Sequence, residues 1–110
     1  MTVRSLWLPF EVADVPAARD FYTVHFGLSQ VDDFDGGVVL RVPGPAHIEL
    51  AAAKRDGGPP PLAFELADDA AVDAHAARLR RTATRYPRGH YGFEAPGPAG
   101  ATVMVWSERT

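Results

Sequence analysis

The sequence predicts an α+β fold built from two tandem βαβββ modules, and three observations support this prediction. The pentapeptide Phe-Glu-Val-Ala-Asp, which ends at Asp14, recurs in the second half of the chain as Phe-Glu-Leu-Ala-Asp, ending at Asp68. In both copies a strand-like run leads into the pentapeptide and an alanine-rich helical stretch follows it. The length of 110 residues fits one compact domain. Two copies indicate internal duplication, since a stacked repeat array needs about three.

The first module opens with a strand and a helix. Residues 5–12 alternate bulky apolar side chains with residues such as Trp7 and Glu11, a period of two that is typical of a strand with two different faces. Asp14 suits the N-cap of the following helix, and Gly27 suits its end. Apolar residues between them recur at helical spacing, so the helix should lie across one face of the sheet.

The other predicted elements complete both modules. Gly-rich and Pro-rich turns separate three more short strands in the first module. These strands are 28–34, 37–42 and 46–53. The polar segment 54–60 is predicted to link module 1–53 to module 61–110. The second module has a strand at 61–66, a helix at 69–81 and its remaining strands within 85–107.

Composition narrows the class of protein. The chain has no cysteine, which suits a reducing compartment and excludes disulfides and thiolate metal sites. Apolar runs are all shorter than the roughly 18 residues that span a bilayer, and the first residues do not resemble a signal peptide. A net charge of −3 and a pI near 5.7 argue against nucleic-acid binding. We therefore expect a cytoplasmic protein without nucleic-acid or membrane partners.

Several motifs resemble a known family. In chain order they are Val12-x-Asp14, Phe21-Tyr22, Gly27-Leu28, His47-Ile48-Glu49-Leu50 and Leu62-Ala63-Phe64-Glu65-Leu66. Their order and spacing resemble the vicinal oxygen chelate superfamily, which includes glyoxalase I, extradiol dioxygenases, and fosfomycin and bleomycin resistance proteins. The resemblance covers nearly the whole chain, although segment 97–100 only loosely matches the family's Asp-Pro-Asp-Gly turn. It implies a curved mixed sheet, or half-barrel, around a cavity with helices on its outer face, and commonly a homodimer.

The resemblance also implies where a metal would bind. Metal-using members take ligands from the first and last strands of each module, and the corresponding positions here are Trp7, Glu49, Pro61 and Met104. Divalent metal sites normally need two or more carboxylate or imidazole ligands. His47 lies two residues from Glu49, about 6–7 Å along the strand, which is awkward for a shared metal. We therefore predict no metal and no other cofactor.

The residue types on the predicted cavity face indicate a ligand instead. They are aromatic, acidic or polarisable, and the candidates are Trp7, Glu11, His47, Glu49, Glu65, His90, Tyr91, Met104 and Trp106. Tryptophan faces attract cations by about 0.5–2 kcal/mol, and a carboxylate adds a charge-assisted hydrogen bond. This set resembles the bleomycin resistance branch, which implies sequestration of an aromatic or cationic metabolite, such as an antibiotic, without catalytic residues.

Other interpretations of these residues stay open. A metal-independent isomerase or cyclase would use Glu49 or His47 as general base. A metal-dependent glyoxalase-like or dioxygenase-like enzyme would need ligands that the sequence lacks. Either tryptophan can equally be a core residue, and Glu11 and Glu65 can be solvent-facing residues at strand ends.

Overall fold

The computed structural model describes residues 2–108, without the side chain of Ala99. These residues form two α-helices, eight strands and a short 3-10 helix at Pro98–Gly100. The helices are α1, Val15–Phe26, and α2, Asp69–Arg78. The strands are β1 Ser5–Val12, β2 Ser29–Phe34, β3 Gly37–Val42, β4 Ala46–Ala52, β5 Leu62–Glu65, β6 Thr84–Arg85, β7 Tyr91–Pro96 and β8 Thr102–Ser107. The predicted order, βαβββ followed by βαβββ, is confirmed.

The chain forms two compact units. The first unit is Trp7–Pro60, and its strands have the order β2-β3-β4-β1, with β3 antiparallel to both β2 and β4. The second unit combines the chain up to Leu6 with the chain from Pro61 onward, and its strand order is β5-β8-β7-β6. There β5 and β8 are parallel, whereas the other pairs are antiparallel. The mixed sheet is thus confirmed, and the module bounds 1–53 and 61–110 stay a prediction.

Helix α1 begins and ends where its capping residues predict. The Asp14 side chain accepts a hydrogen bond from the backbone N–H of Ala17 at 3.0 Å, which satisfies one of the donors that a helix start leaves unpaired. Gly27 adopts φ 68°, and its N–H donates to the carbonyl of Thr23 at 3.1 Å. Glycine is suited to this position because it has no Cβ to clash in the left-handed conformation.

Helix α2 begins as predicted but ends three residues early. The Asp68 side chain caps its start by accepting from the N–H of Ala71 at 2.8 Å. Its last turn closes when the N–H of Arg81 donates to the carbonyl of Ala76 at 2.9 Å, across Arg80 at φ 58°. This is the hydrogen-bond pattern of a helix C-terminus. The sequence has no glycine here to mark the stop, so the predicted helix ran on to Arg81.

Each unit has its own core between sheet and helix. In the first unit the buried cluster is Val38, Leu40, Ile48 and Leu50, with side chains of β1 and α1 packed against it. In the second unit it is Leu66, Val72, Ala76, Phe93, Ala95 and Val105. In both units every second strand residue faces the helix, so the alternate residues lie on the other face. Within the described residues, no helix has the length and apolar character needed to cross a bilayer.

The Asp68 cap gives a stability prediction. Replacing Asp68 with Ala leaves an N–H at the start of α2 without its acceptor, so we expect the free energy of unfolding to fall by about 1 kcal/mol. At this chain length that lowers Tm by about 4–6 °C. Thermal unfolding followed by circular dichroism measures the change. Asp68→Ser should retain most of the stability, and Asp35→Ala, at an exposed turn position, should be nearly neutral. Equal losses for Asp68→Ser and Asp68→Ala would contradict a capping role.

Candidate functional site

Three of the candidate ligand-binding residues of the first unit, Trp7, His47 and Glu49, lie on the sheet face that points away from α1. We call this surface the distal face. Leu40 and Leu50, both 0% exposed, belong to the helix-facing cluster. Their neighbours are paired across β3 and β4 as Val39 with Glu49 and Arg41 with His47. Directly opposite residues of an antiparallel pair share a face, so all four lie on the distal face.

An aromatic stack is the main feature of this face. The rings of Trp7 and His47 lie 4.3 Å apart between centroids with an interplanar angle of 19°. They meet because β1 and β4 are neighbours in the strand order. Such a pair contributes about 0.5–1.5 kcal/mol beyond the area it buries, which favours a fixed ring orientation. Glu49 follows His47 on the same strand face, and all three residues are half-buried. The distal face thus holds a flat aromatic surface beside a carboxylate.

The second unit has a distal face of similar chemistry. Its register places Met104 opposite Glu94 in β7 and beside Ala63 in β5. Trp106 lies opposite Gly92 and beside Glu65, and it is 7% exposed. Val105, between Met104 and Trp106, belongs to the core cluster on the helix side. Met104 and Trp106 therefore point away from α2, as the sequence predicted.

A tight turn adds two more rings to this face. The N–H of Tyr86 donates to the carbonyl of His90 at 2.8 Å, and Gly89 takes φ 100° to close the turn. The Tyr86 and His90 rings stack at 4.5 Å and 9°, and His90 contacts Trp106 edge-on at 6.0 Å. Burial raises the pKa of the Tyr86 phenol, and the nearby charge of Glu94 raises it further. The rings of Tyr86, His90 and Trp106 thus form an aromatic row near the carboxylate of Glu94.

Gly92 provides the space that this row needs. A Cβ at Gly92 would lie 2.9 Å from the Cβ of Trp106 and would collide with the backbone carbonyl of Val105. The backbone cannot give way as a flexible side chain would, so a larger residue would displace Trp106. Glycine inside a strand often marks such a close approach.

Three other predicted site residues have different partners: Glu65, which lies beside Trp106, and Glu11 and Tyr91. Glu65 accepts a hydrogen bond from the hydroxyl of Ser5 at 2.7 Å, so its carboxylate is held by the start of β1. Glu11 lines a pocket beside α1. Tyr91 packs against the helix-side core of the second unit, and its hydroxyl donates to Asp73 of α2 at 2.5 Å. Tyr91 therefore lies on the opposite sheet face from Met104.

Four residues of these faces were not predicted from the sequence: Val39, Arg41, Tyr86 and Glu94. Strand alternation relative to Leu40 assigns Val39 and Arg41 to the distal face, and alternation relative to Phe93 does the same for Glu94. No sequence pattern indicated that Tyr86 belongs to the distal face of the second unit. It reaches His90 through the turn rather than through a strand, and turn geometry depends on hydrogen bonds that the pattern of apolar residues does not reveal.

The positions that would bind a metal in metal-using relatives do not fit one here. In the first unit Trp7 offers an indole, which is stacked on His47, and Glu49 supplies one carboxylate. In the second unit the two positions are Pro61 and the thioether of Met104. Within residues 2–108, no three His, Asp or Glu side chains are grouped to hold a metal ion. These side chains do not match the oxygen and nitrogen ligand sets of divalent cations.

The raised pKa of Tyr86 can be tested by titration. Because its pKa in the folded state exceeds the ordinary value of 10.0, the associated stabilisation is complete below pH 10 and is lost as the pH rises through the raised pKa. Glu94→Gln should lower the Tyr86 pKa but leave it above 10, because burial is the larger cause. The measurement is phenolate absorbance, with the titration of Tyr86→Phe subtracted to remove the contributions of Tyr22 and Tyr91. Ionisation of Tyr86 at or below pH 10 in folded protein would refute its burial in this aromatic row.

The comparisons with known proteins agree with this fold. A family model described as the Glyoxalase/Bleomycin resistance protein/Dioxygenase superfamily matches residues 7–103. Among solved structures, methylmalonyl-CoA epimerase from Mycobacterium tuberculosis aligns with a TM-score of 0.70 at 24% identity, covering 98% of this chain and 90% of that chain. NAD-dependent benzaldehyde dehydrogenase from Legionella pneumophila gives 0.75 at 12% identity, with coverages of 93% and 97%.

A larger protein shares the fold as well. A variant of homoprotocatechuate 2,3-dioxygenase from B. fuscum aligns with a TM-score of 0.73 at 18% identity, covering 98% of this chain and 33% of that chain. The sequence matches no curated protein. Identities this low show the fold alone, and the three names describe three different activities. The family match spans most of the chain and confirms the resemblance seen in the sequence, so the protein belongs to the Glyoxalase/Bleomycin resistance protein/Dioxygenase superfamily.

Proposed function

We propose that this protein binds a flat, positively charged small molecule, such as a basic antibiotic, and sequesters it without changing it chemically. The supporting observation is the combination of stacked rings and carboxylates on the distal face of each unit. In the first unit these are Trp7, His47 and Glu49. In the second unit they are Tyr86, His90, Glu94, Met104 and Trp106.

The physical basis is the complementarity between such a face and a planar cation. An aromatic ring attracts a cation through its quadrupole by about 0.5–2 kcal/mol, and more when water is excluded. A carboxylate such as that of Glu49 adds a charge-assisted hydrogen bond to an N–H donor. Met104 is flexible and polarisable, so it can adapt to the outline of the ligand. No step of this function requires a metal or a reacting group.

Arg41 works against cation binding on the same face and therefore offers a sharp test. It lies directly across from His47, two residue pairs along the strands from Glu49 and on the same face. Its positive charge should repel a cationic ligand and attract an anionic one. Removal of this charge should therefore strengthen the binding of a cation and weaken the binding of an anion.

The rival function is a metal-independent isomerase or cyclase with Glu49 or His47 as general base. It is favoured by the placement of these two half-buried proton acceptors on one strand face, beside the Trp7 ring. The epimerase among the structural neighbours makes proton transfer a reasonable alternative. The two functions differ in outcome: a sequestering protein releases its ligand unchanged on denaturation, whereas an isomerase yields a product that disappears in Glu49→Gln.

Binding of a model ligand tests the proposal. We expect 9-aminoacridine, a planar cation, to bind measurably by titration calorimetry, whereas 9-anthracenecarboxylate, an anion of similar size, should not. Glu49→Gln removes a charged acceptor worth about 1.5–3 kcal/mol, so the Kd for the cation should rise roughly tenfold to 100-fold. Arg41→Gln should lower that Kd. Quenching of the remaining tryptophan in Trp7→Phe and in Trp106→Phe shows which distal face the dye contacts.

The control is Glu108→Gln, which makes the same chemical change at an exposed residue beyond β8 and should leave the Kd unchanged. Tighter binding of the anion than of the cation, or no effect of Glu49→Gln and Arg41→Gln, would contradict the proposal. Chemical alteration of a bound ligand, seen by mass spectrometry after denaturation, would favour the isomerase. The homodimer stays a prediction that analytical ultracentrifugation can test.

A further inference from the structure

A pocket of about 580 Å³ opens beside α1 in the first unit. Its wall includes Phe10 of β1, Leu50 of β4, and Phe21 and Tyr22 of α1. Because Phe10, Leu50 and Tyr22 belong to the helix-side core, the pocket lies on the opposite sheet face from Trp7 and His47. Small-molecule sites commonly enclose about 300–1,000 Å³ with mostly apolar walls and a few polar groups. The pocket has the size and apolar character of such a site.

The internal repeat shows that the two helices pack differently on their sheets. When the two pentapeptides are aligned, Ala18 of α1 corresponds to Val72 of α2, and Tyr22 corresponds to Ala76. Val72 is 0% exposed and Ala76 is 3% exposed, so α2 packs closely on its sheet. None of the residues of α1 is buried. Ala18 lines the pocket and is smaller than the matching Val72, and Tyr22 is larger than the matching Ala76, so α1 packs less closely on its sheet than α2 does.

Carboxylates give this pocket a negative rim. Glu11, Asp14 and Asp56 line it, and its described lining includes no Lys, Arg or His. Asp14 is held by the N–H of Ala17 at 3.0 Å, and Asp56 is held by the N–H of Ala13 at 3.1 Å. Each bond uses one acceptor site of a carboxylate that offers about four. The rim is therefore fixed in position and retains capacity to accept further donors.

The linker packs against Glu11, the third acidic residue of the lining. The N–H of Gly57 donates to the carbonyl of Glu11 at 2.9 Å, so the linker lies against the end of β1. A Cβ at Gly57 would lie 2.8 Å from the Cβ of Glu11, so glycine permits this close approach. The apolar wall and the negative rim thus come from three segments that are bonded to one another: the end of β1, the start of α1 and the linker.

We propose that this pocket is a second ligand site, which binds a small protonated amine with an aromatic or aliphatic group, such as an arylalkylammonium ion. The apolar group lies between Phe10, Leu50 and the rings of α1, and the ammonium group donates hydrogen bonds to the carboxylates at the rim. Rings favour an aromatic group, and charge complementarity selects a cation over an anion. The site is separate from the distal faces and does not depend on their function.

Titration with phenethylammonium tests this site by two-dimensional NMR. We expect saturable shifts in α1 and in residues 10–14 and 56–58, with little change at the two indole N–H signals. The anion 3-phenylpropionate, of similar size, should not produce them. Ala18→Val inserts the residue found at the matching position of α2, and we expect it to raise the Kd roughly tenfold by filling space in the pocket. Ala74→Val, on the exposed surface of α2, is the matched control and should keep the wild-type Kd.

A charge variant keeps the test decisive if Ala18→Val folds poorly. Asp56→Asn retains an oxygen to accept from Ala13 but removes one negative charge, so the Kd for phenethylammonium should rise about threefold to tenfold. Asp35→Asn, at an exposed position outside the pocket lining, should have no effect. Equal binding of 3-phenylpropionate, an unchanged Kd in Asp56→Asn, or no saturable shift at α1 would overturn the site. Ala18→Val should still bind 9-aminoacridine with the wild-type Kd, so failure here leaves the function proposed for the distal faces unaffected.

Discussion

Burial of alternate strand residues beneath a helix is the constraint on which every other feature of this protein depends. In the first unit Leu40 and Leu50 are fully buried against the side of the sheet that α1 covers, and in the second unit Phe93 and Val105 play the same part under α2. Loss of apolar contact with water drives this packing, at about 25 cal/mol for each Å² buried. A shift of one residue in register would turn every core side chain to the other face. The core therefore also fixes which side chains form the distal faces.

The two units share one order of strands and helix but differ in how closely the helix packs on the sheet. Both helices start at an aspartate cap within the repeated pentapeptide, so duplication preserved the local signal that places each helix. The packing of the two helices on their sheets differs, however. Helix α2 buries Val72 and Ala76, whereas α1 buries none of its residues. Interiors are close-packed, so a change of a few methyl groups at a helix–sheet contact decides whether space remains there. Divergence of side-chain volume after duplication thus accounts for the looser packing of α1, beside which the pocket lies.

The distal faces show how a family fold can keep its frame while its chemistry changes. Where metal-using relatives place ligands, this chain places the Trp7 indole and the Met104 thioether, and the carboxylate of Glu49 lies beside an aromatic stack. Rings and soft sulfur recognise shape and charge, whereas a metal centre polarises an oxygen. The same sheet can therefore present different side-chain chemistry without a change in backbone topology. Fold membership sets the frame, and the side chains on each face set the function.

Sequence alone determined the element order, both helix starts, the end of α1 and the faces of Met104 and Trp106 in β8, because these follow from short-range rules. An aspartate caps the N–H groups next to it, a glycine ends a helix, and side chains alternate along a strand. It also identified the family and placed Trp7 and His47 on one face. Only the tertiary structure decided the earlier end of α2, the turn that carries Tyr86 to His90, the bond between Ser5 and Glu65, and the pocket beside α1. These features depend on contacts between residues distant in the chain and on how closely side-chain volumes fit, and local patterns contain neither.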